Sequence, residues 1–551
     1  MARGRVLGVA LIAALPAVAQ TRPQLTIGIT QYPATLHPNI EQMAAKSYVL
    51  GFARRPLTTY DADWRLACML CETLPSLDNG LAVRETTPDG KDGLRLTMRL
   101  HADARWGDGT PVSSEDLRFA WDAGRAFETG FGGAEFYRSA YELIVVDDRT
   151  ITLRFDRVTF DFASMGDFQP LPARIERPRW EADRAAYRSR TAYDTESTNP
   201  GLWSGPYRVT ATTPGSSVAL ARNDAWLGTR PAFDRILIRT IESTPSLEAQ
   251  AMTGQVDMIA GELGLPLDQG IALARRAAGR LRLHVQPGLI YEHIDLNLDN
   301  PLLADVRVRR ALLLASDRAT IAQRLYEDRQ PVANGPIHPR DPGYDSTRAP
   351  APFDPAEAAR LLDAAGFVTR GPDGVRRNAA GERLSFEFMT TAGNRGREQV
   401  QQVLQGQWRS AGIEVRIRNE PPRVFFGETM SRRRFTGLAL YAWISAPENV
   451  PRSTFHSDEI PRATRNWSGQ NYPGFRDAEM DALLERLPIT QDSTERLPLW
   501  ARLQAILAEQ TPVLPLWHRA DAHLWPVWLD GVRPTGHLAP SSLWVEQWRV
   551  R

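Results

Sequence analysis

The chain has 551 residues, too many for one hydrophobic core, so two or three domains are expected. Its 66 basic and 65 acidic side chains nearly cancel, which removes the electrostatic reason to expect nucleic acid or an anionic membrane surface as a partner. With 15 Trp, 13 Tyr and 19 Phe there are enough aromatics to line a cleft as well as fill cores.

At the start, Arg3 and Arg5 precede an apolar run from Val6 to Leu15, and Ala17-Val18-Ala19 has the small-x-small pattern of a cleavage site. Residues 1–19 therefore read as a signal peptide. The run is shorter than the roughly 20 apolar residues that a membrane span needs, and no Cys at the cleavage point indicates a lipid anchor. Export into a periplasm is the expectation.

Cys68 and Cys71 are the only cysteines. In an oxidising compartment they form either a local disulfide or a pair of buried thiols. A redox motif would need a helix start directly behind the first Cys to lower its thiol pKa, and none is expected here. Zinc is not expected either, because no second Cys or His pair stands at a suitable spacing.

The stretch from Leu94 to Gly124 is the most regular in the chain. Leu94, Leu96, Met98 and Leu100 alternate with polar residues, the pattern of a strand with one buried face. Gly107-Asp108-Gly109 with Pro111 supplies turn chemistry. Ser113 followed by Asp116 is a capping box, with Leu117, Ala120 and Trp121 on one face of the helix behind it.

Further on, Tyr291, Ile294, Leu296 and Leu298 predict a strand, and Asp305 caps a helix carrying Arg307, Arg309 and Arg310. Those arginines read as a solvated, ion-paired face. Asp354-Pro355-Ala356-Glu357 opens another helix that Gly366 closes. Helix and strand alternate again through residues 408–415, which argues for α/β lobes with mixed sheets rather than a barrel or a bundle.

Enzymatic motifs fail on inspection. In Gly201-Leu202-Trp203-Ser204-Gly205 the Ser stands one place too late for a nucleophile elbow. The nine histidines show no metal-ligand spacing, and His518 and His523 do not make a convincing metal pair. No catalytic residue, metal site or cofactor is assigned.

Trp106, Asp108, Gly109, Pro111, Val112, Asp116, Phe119 and Trp121 together resemble the signature of the extracellular solute-binding proteins of family 5, the peptide, opine and nickel receptors of ABC importers. Pro200 to Tyr207, Arg222-Asn223 with Trp226, Gly254 to Asp257 and Asp305 to Ala311 resemble further landmarks of that family, so the likeness covers nearly the whole chain. It implies a periplasmic-binding-protein type II fold, with mixed sheets in two lobes joined by a two-crossing hinge. Lobe one would be residues 20–287 plus 512–551, with a subdomain at about 61–195, and lobe two residues 288–511. The crossings would lie near Gln286-Pro287-Gly288 and in residues 510–516. The implied function is capture of an oligopeptide or peptide-like solute by hinge closure, and its delivery to an ABC permease. An opine or a glycoconjugate is the alternative ligand, and an exported hydrolase the distant one. The protein would be a monomer that meets the membrane only through the permease.

The same resemblance implies a ligand site. In oligopeptide-binding relatives a Trp-x-x-Asp motif sets its Asp against the ligand's ammonium group. Here Trp443 is kept, but Ala446 stands at the Asp position, which removes a charge-assisted bond of about 1.5–3 kcal/mol. Glu448 could replace it. Phe425 and Arg432, the latter extended by Arg433 and Arg434, keep the spacing of cleft-lining residues, and a guanidinium there would favour a ligand carboxylate or phosphate. Trp467, after Asn466, could stack on the ligand, and Phe131, Phe136 and Tyr137 fall where lobe one contributes an aromatic.

Overall fold

The computed structural model describes residues 23–551 apart from 41, 42, 130, 133, 167, 466 and 468. The expected signal peptide and Asn466 lie outside the described residues. One ten-stranded mixed sheet runs through the molecule. Its order is Glu414–Ile417, Ser385–Thr390, Leu438–Ile444, Leu281–Leu296, Val513–Pro526, Met258–Ile259, Gln24–Ile29, Arg235–Thr240, Ser217–Arg222 and Tyr207–Thr213. Parallel pairs, such as Gln24–Ile29 with Arg235–Thr240, stand beside antiparallel ones.

The two central strands are the longest, and each has one half in each lobe. Their antiparallel register runs from Leu281↔Pro526 to Pro287↔Ala520, breaks, and resumes from Tyr291↔His518 to Asp295↔Val513. On one side of the break, Leu514, Leu516 and Trp517 pack with Ile294, Leu312 and Leu440. On the other, Ala520 and Ala522 pack with Leu267 and Ile271, and Leu524 with Leu247 and Ile259. The core therefore changes hands between Trp517 and Ala520, opposite Pro287. A side chain cannot be fitted at the neighbouring Gly288, because its Cβ would meet the Gly536 carbonyl oxygen at 2.5 Å. That carbonyl accepts the Leu289 N–H at 2.8 Å and ties the crossing to the C-terminal segment.

The signature stretch forms a structural clamp. Leu94, Leu96 and Met98 are buried on the strand Asp92–Arg99, inside a four-stranded antiparallel sheet. Gly109 takes the left-handed φ of +86° that the turn requires. Ser113 and Asp116 form the capping box of the helix Ser114–Arg125. Asp116 also accepts the Trp106 indole N–H at 3.0 Å and the Ala173 N–H at 2.8 Å, so one buried carboxylate joins turn, helix and the next segment.

Cys68 and Cys71 are joined by a disulfide. The arginine reading needs a correction. Arg307 pairs with Asp305 at the surface, but Arg309 is buried and donates to the Leu303, Ala304, Gln510 and Thr511 carbonyls. It fastens its helix to the segment entering the second crossing. Unsatisfied carbonyls at chain bends, not water, are its partners.

Candidate functional site

Side chains at positions 289, 291, 293 and 295 share one face of a crossing strand, because alternate residues of a strand point the same way. Leu289, Tyr291, His293 and Asp295 line a cavity with Trp443, which the register places opposite Tyr291 on the neighbouring strand. Residues within 336–341, 444–455 and 470–473, with Val513, complete the wall. The cavity and its mouth hold about 770 Å3 of atom-free space, part of it open to solvent.

Polar groups in the wall are arranged in layers. The Tyr441 hydroxyl donates to Asp295, and His293 Nε2 lies 3.2 Å from the other Asp295 oxygen. Asp341 accepts the Gly343 N–H at 2.9 Å and the Glu448 N–H at 2.7 Å. Burial raises the pKa of the Asp341 carboxyl. Burial likewise raises that of Glu448, and the nearby Asp341 and Asp161 charges add to it. Arg496 approaches Glu448 to 3.8 Å. A carboxylate pair thus stands beside the cavity, only partly compensated.

The lobes touch on both sides of this site. His338 packs on Trp64 with ring centroids 4.9 Å apart, and the Arg340 guanidinium sits 4.5 Å over the same indole. Arg340 also donates to the Ala62 carbonyl at 2.6 Å. On the other side, the Phe160 N–H donates to the Pro488 carbonyl at 2.8 Å, and Arg496 lies 4.2 Å over the Phe160 ring.

Few of the residues expected from sequence meet here. Trp443 lines the cavity, and Glu448 stands next to it through its backbone bond to Asp341. Phe425 is fully buried behind this wall with Met389, Met430 and Tyr441. Arg432, half-buried, and Arg434, exposed, pair with Glu428, whereas Arg433 is mostly buried and donates to the Tyr472 carbonyl. Trp467 has a left-handed φ of +59° and is not among the lining residues. Phe131, Phe136 and Tyr137 pack in the first lobe's core, Phe136 stacked on Phe168 at 5.1 Å and Phe131 against His37. Trp64, His338 and Asp341 carry no signal in the sequence that marks them for the site. Tyr291 reads in the sequence as a plain strand residue, although ionisable side chains at positions 293 and 295, in its own parity, mark that face as something other than core.

The model of the bacterial extracellular solute-binding proteins, family 5, matches residues 79–459. The chain belongs to that family. It is 27% identical to di/tripeptide-binding protein 2 of Pseudomonas aeruginosa over 321 residues, which covers 58% of this chain and about half (56%) of that relative. It is 24% identical to the oligopeptide-binding protein AppA of Bacillus subtilis over 483 residues, 86% of this chain and 84% of the relative. Among solved structures, the oligopeptide-binding protein of Thermus thermophilus in complex with a pentapeptide has a TM-score of 0.75 at 27% identity, covering 97% of each chain. The two-lobed fold of this solute-binding protein is thereby placed among those of known receptors. Among the described residues, no helix is long and apolar enough to cross a membrane, and no group of three or more His, Cys, Asp or Glu could hold a metal ion.

Proposed function

We propose that this protein is the periplasmic receptor of an ABC importer, and that it holds a peptide or peptide-like solute in the cavity beside its hinge. The observation that carries the reading is the position of that cavity. Its floor is the second-lobe half of a strand that crosses between the lobes, and its wall includes His338, on which Trp64 of the other lobe rests. A ligand that fills the cavity steadies the segment carrying His338, on which Trp64 of the other lobe closes, so it binds the closed state better and shifts the population toward it. A permease can then tell loaded from empty receptor without any bond being made or broken.

The peptide class is supported by the names of the relatives and by the pentapeptide in the Thermus thermophilus structure. Of the residues expected from sequence, Trp443 is retained as a ligand contact, and Glu448 stands behind the wall on Asp341. The division expected from sequence, 20–287 plus 512–551 against 288–511, is kept in this reading except that residues 513–517 go with the second lobe, where they pack. A thermal-shift screen of a random pentapeptide pool against opines and oligosaccharides tests the reading. Stabilisation by peptides, with the peptide recovered unchanged, is expected. Stabilisation by another class alone, or cleavage of the peptide, would contradict it.

A further inference from the structure

The lobes also meet behind the sheet. Tyr291, His293 and Asp295 stand on the cavity side of the crossing strand, so Glu292, between them, points to the opposite face, where Arg397 holds it. Trp517 stands opposite Glu292 in the strand pairing, and the Tyr326 ring packs on Trp517 with centroids 5.4 Å apart. Tyr326 therefore lies on the face away from the cavity. It ends the helix Arg318–Tyr326 of the second lobe and packs against that lobe's core. The same ring also packs with Leu267 and Ile271, on the helix Leu267–Arg276 of the first lobe. Beside it, Glu327 pairs with Arg275 across the same seam. Just beyond, the Gln330 side chain accepts the Ala520 N–H at 3.1 Å, which fastens this segment where the strand pairing breaks.

The contact of His338 on Trp64 and this rear seam thus lie on opposite sides of the crossing strands. A rotation about those strands that parts the front brings the rear helices together, and shutting the front draws them apart. Here the front contact is made, and the rear seam is only partly packed. Tyr326 is half-buried, and the Arg275 and Glu327 side chains are still 69% and 39% exposed. Surface is therefore left for the open state to bury. The ion pair weighs little in that balance, because exposed pairs contribute little, and the apolar contact of the Tyr326 ring decides it.

We propose that the seam of Tyr326 against the helix Leu267–Arg276 opposes closure: it favours the open receptor and sets how much of the ligand's binding energy goes into shutting the cleft. A ligand shifts the equilibrium only by its differential affinity for the two states, and what the rear seam gives the open state is subtracted from that difference. A substitution on the far side of the sheet, out of reach of the ligand, then tightens binding. The inference rests on the receptor reading above and specifies how that receptor's affinity is tuned.

The test compares the full chain with Tyr326→Ala by titration calorimetry against a random pentapeptide pool and by small-angle scattering without ligand. The variant is expected to bind about fivefold more tightly, the factor supported by ~40 Å2 of apolar surface no longer buried on opening. Its unliganded form should be more compact than the unaltered protein. Tyr326→Phe, which keeps the ring, should match the unaltered protein in both measurements. Ile271→Val, a smaller change on the facing helix, should move both quantities in the same direction as Tyr326→Ala, by less. Melting temperatures show whether Tyr326→Ala folds, and Ile271→Val decides if it does not. Unchanged or weaker binding, or scattering that is unchanged or more extended, overturns the inference and leaves the receptor reading standing. Scattering needs no ligand, so if the unaltered protein binds no peptide the receptor reading falls while the seam is still judged.

Discussion

The ring of His338 rests on the indole of Trp64, centroids 4.9 Å apart, and this contact joins a loop of the second lobe to the first. Arg340 covers the same indole, so Trp64 is clasped by two residues of one loop. Its own N–H donates to the Thr535 carbonyl at 2.7 Å, which fixes the ring on the first lobe's side.

Trp64→Ala should therefore loosen closure. A desolvated aromatic and cation–π contact is worth about 1–2 kcal/mol, so ligand affinity should fall about five- to thirtyfold. Small-angle scattering should find the unliganded variant more extended than the native protein. Unchanged scattering and affinity would mean that this contact does not report closure.

Gly288→Ala places a methyl against the Gly536 carbonyl oxygen, part of a backbone that also binds Leu289. The crossing must shift to admit it, at a cost of about 1–3 kcal/mol in thermal or denaturant unfolding. A wild-type unfolding midpoint would show that the approach is less constrained than the geometry implies.

Asp116→Asn tests the clamp at the signature. The buried carboxylate accepts from Ser113, Trp106 and Ala173, and an amide can satisfy only part of that set. Stability should fall by about 1–3 kcal/mol with ligand affinity unchanged in the folded fraction. A selective loss of binding would place the signature in the site instead.

That separation explains what could be read from the sequence. The segment from Trp106 to Trp121 was legible because turn, cap and buried face are local, and each depends on residues a few positions apart. Trp443 was legible through its motif. The cavity was not, because Tyr291, His338 and Asp341 meet only after strands far apart in sequence pair. Phe425, Phe136 and Tyr137 carry the side chains of cleft residues but face inward, and an aromatic's type alone does not say which side of a wall it fills. Arg309 misled for a similar reason, since its partners are carbonyls some 200 residues later at Gln510 and Thr511.

Acid should weaken the inter-lobe contact. Burial lowers His338 and His537 from the ordinary 6.5 to about 4 each, and His518 to about 3. The folded, closed state holds these rings neutral, so it binds fewer protons than the opened or unfolded chain. Their contribution is complete above about pH 6.5 and is lost as the pH falls through about 4. Asp341 and Glu448, raised by burial, tilt stability the other way, so the informative quantity is a difference between proteins. From pH 6.5 to 4 the native melting temperature should fall more steeply than that of His338→Asn. Parallel profiles would contradict this origin.

The most direct measurement is mass spectrometry of the small molecules released when the protein, purified natively from an exporting bacterial host, is denatured. Peptides or peptide-like amides at about one per chain are expected, and they should be missing from Trp443→Ala prepared in parallel. A different class of solute, or the same peptides retained by that variant, would contradict a peptide receptor whose site is the cavity beside the hinge.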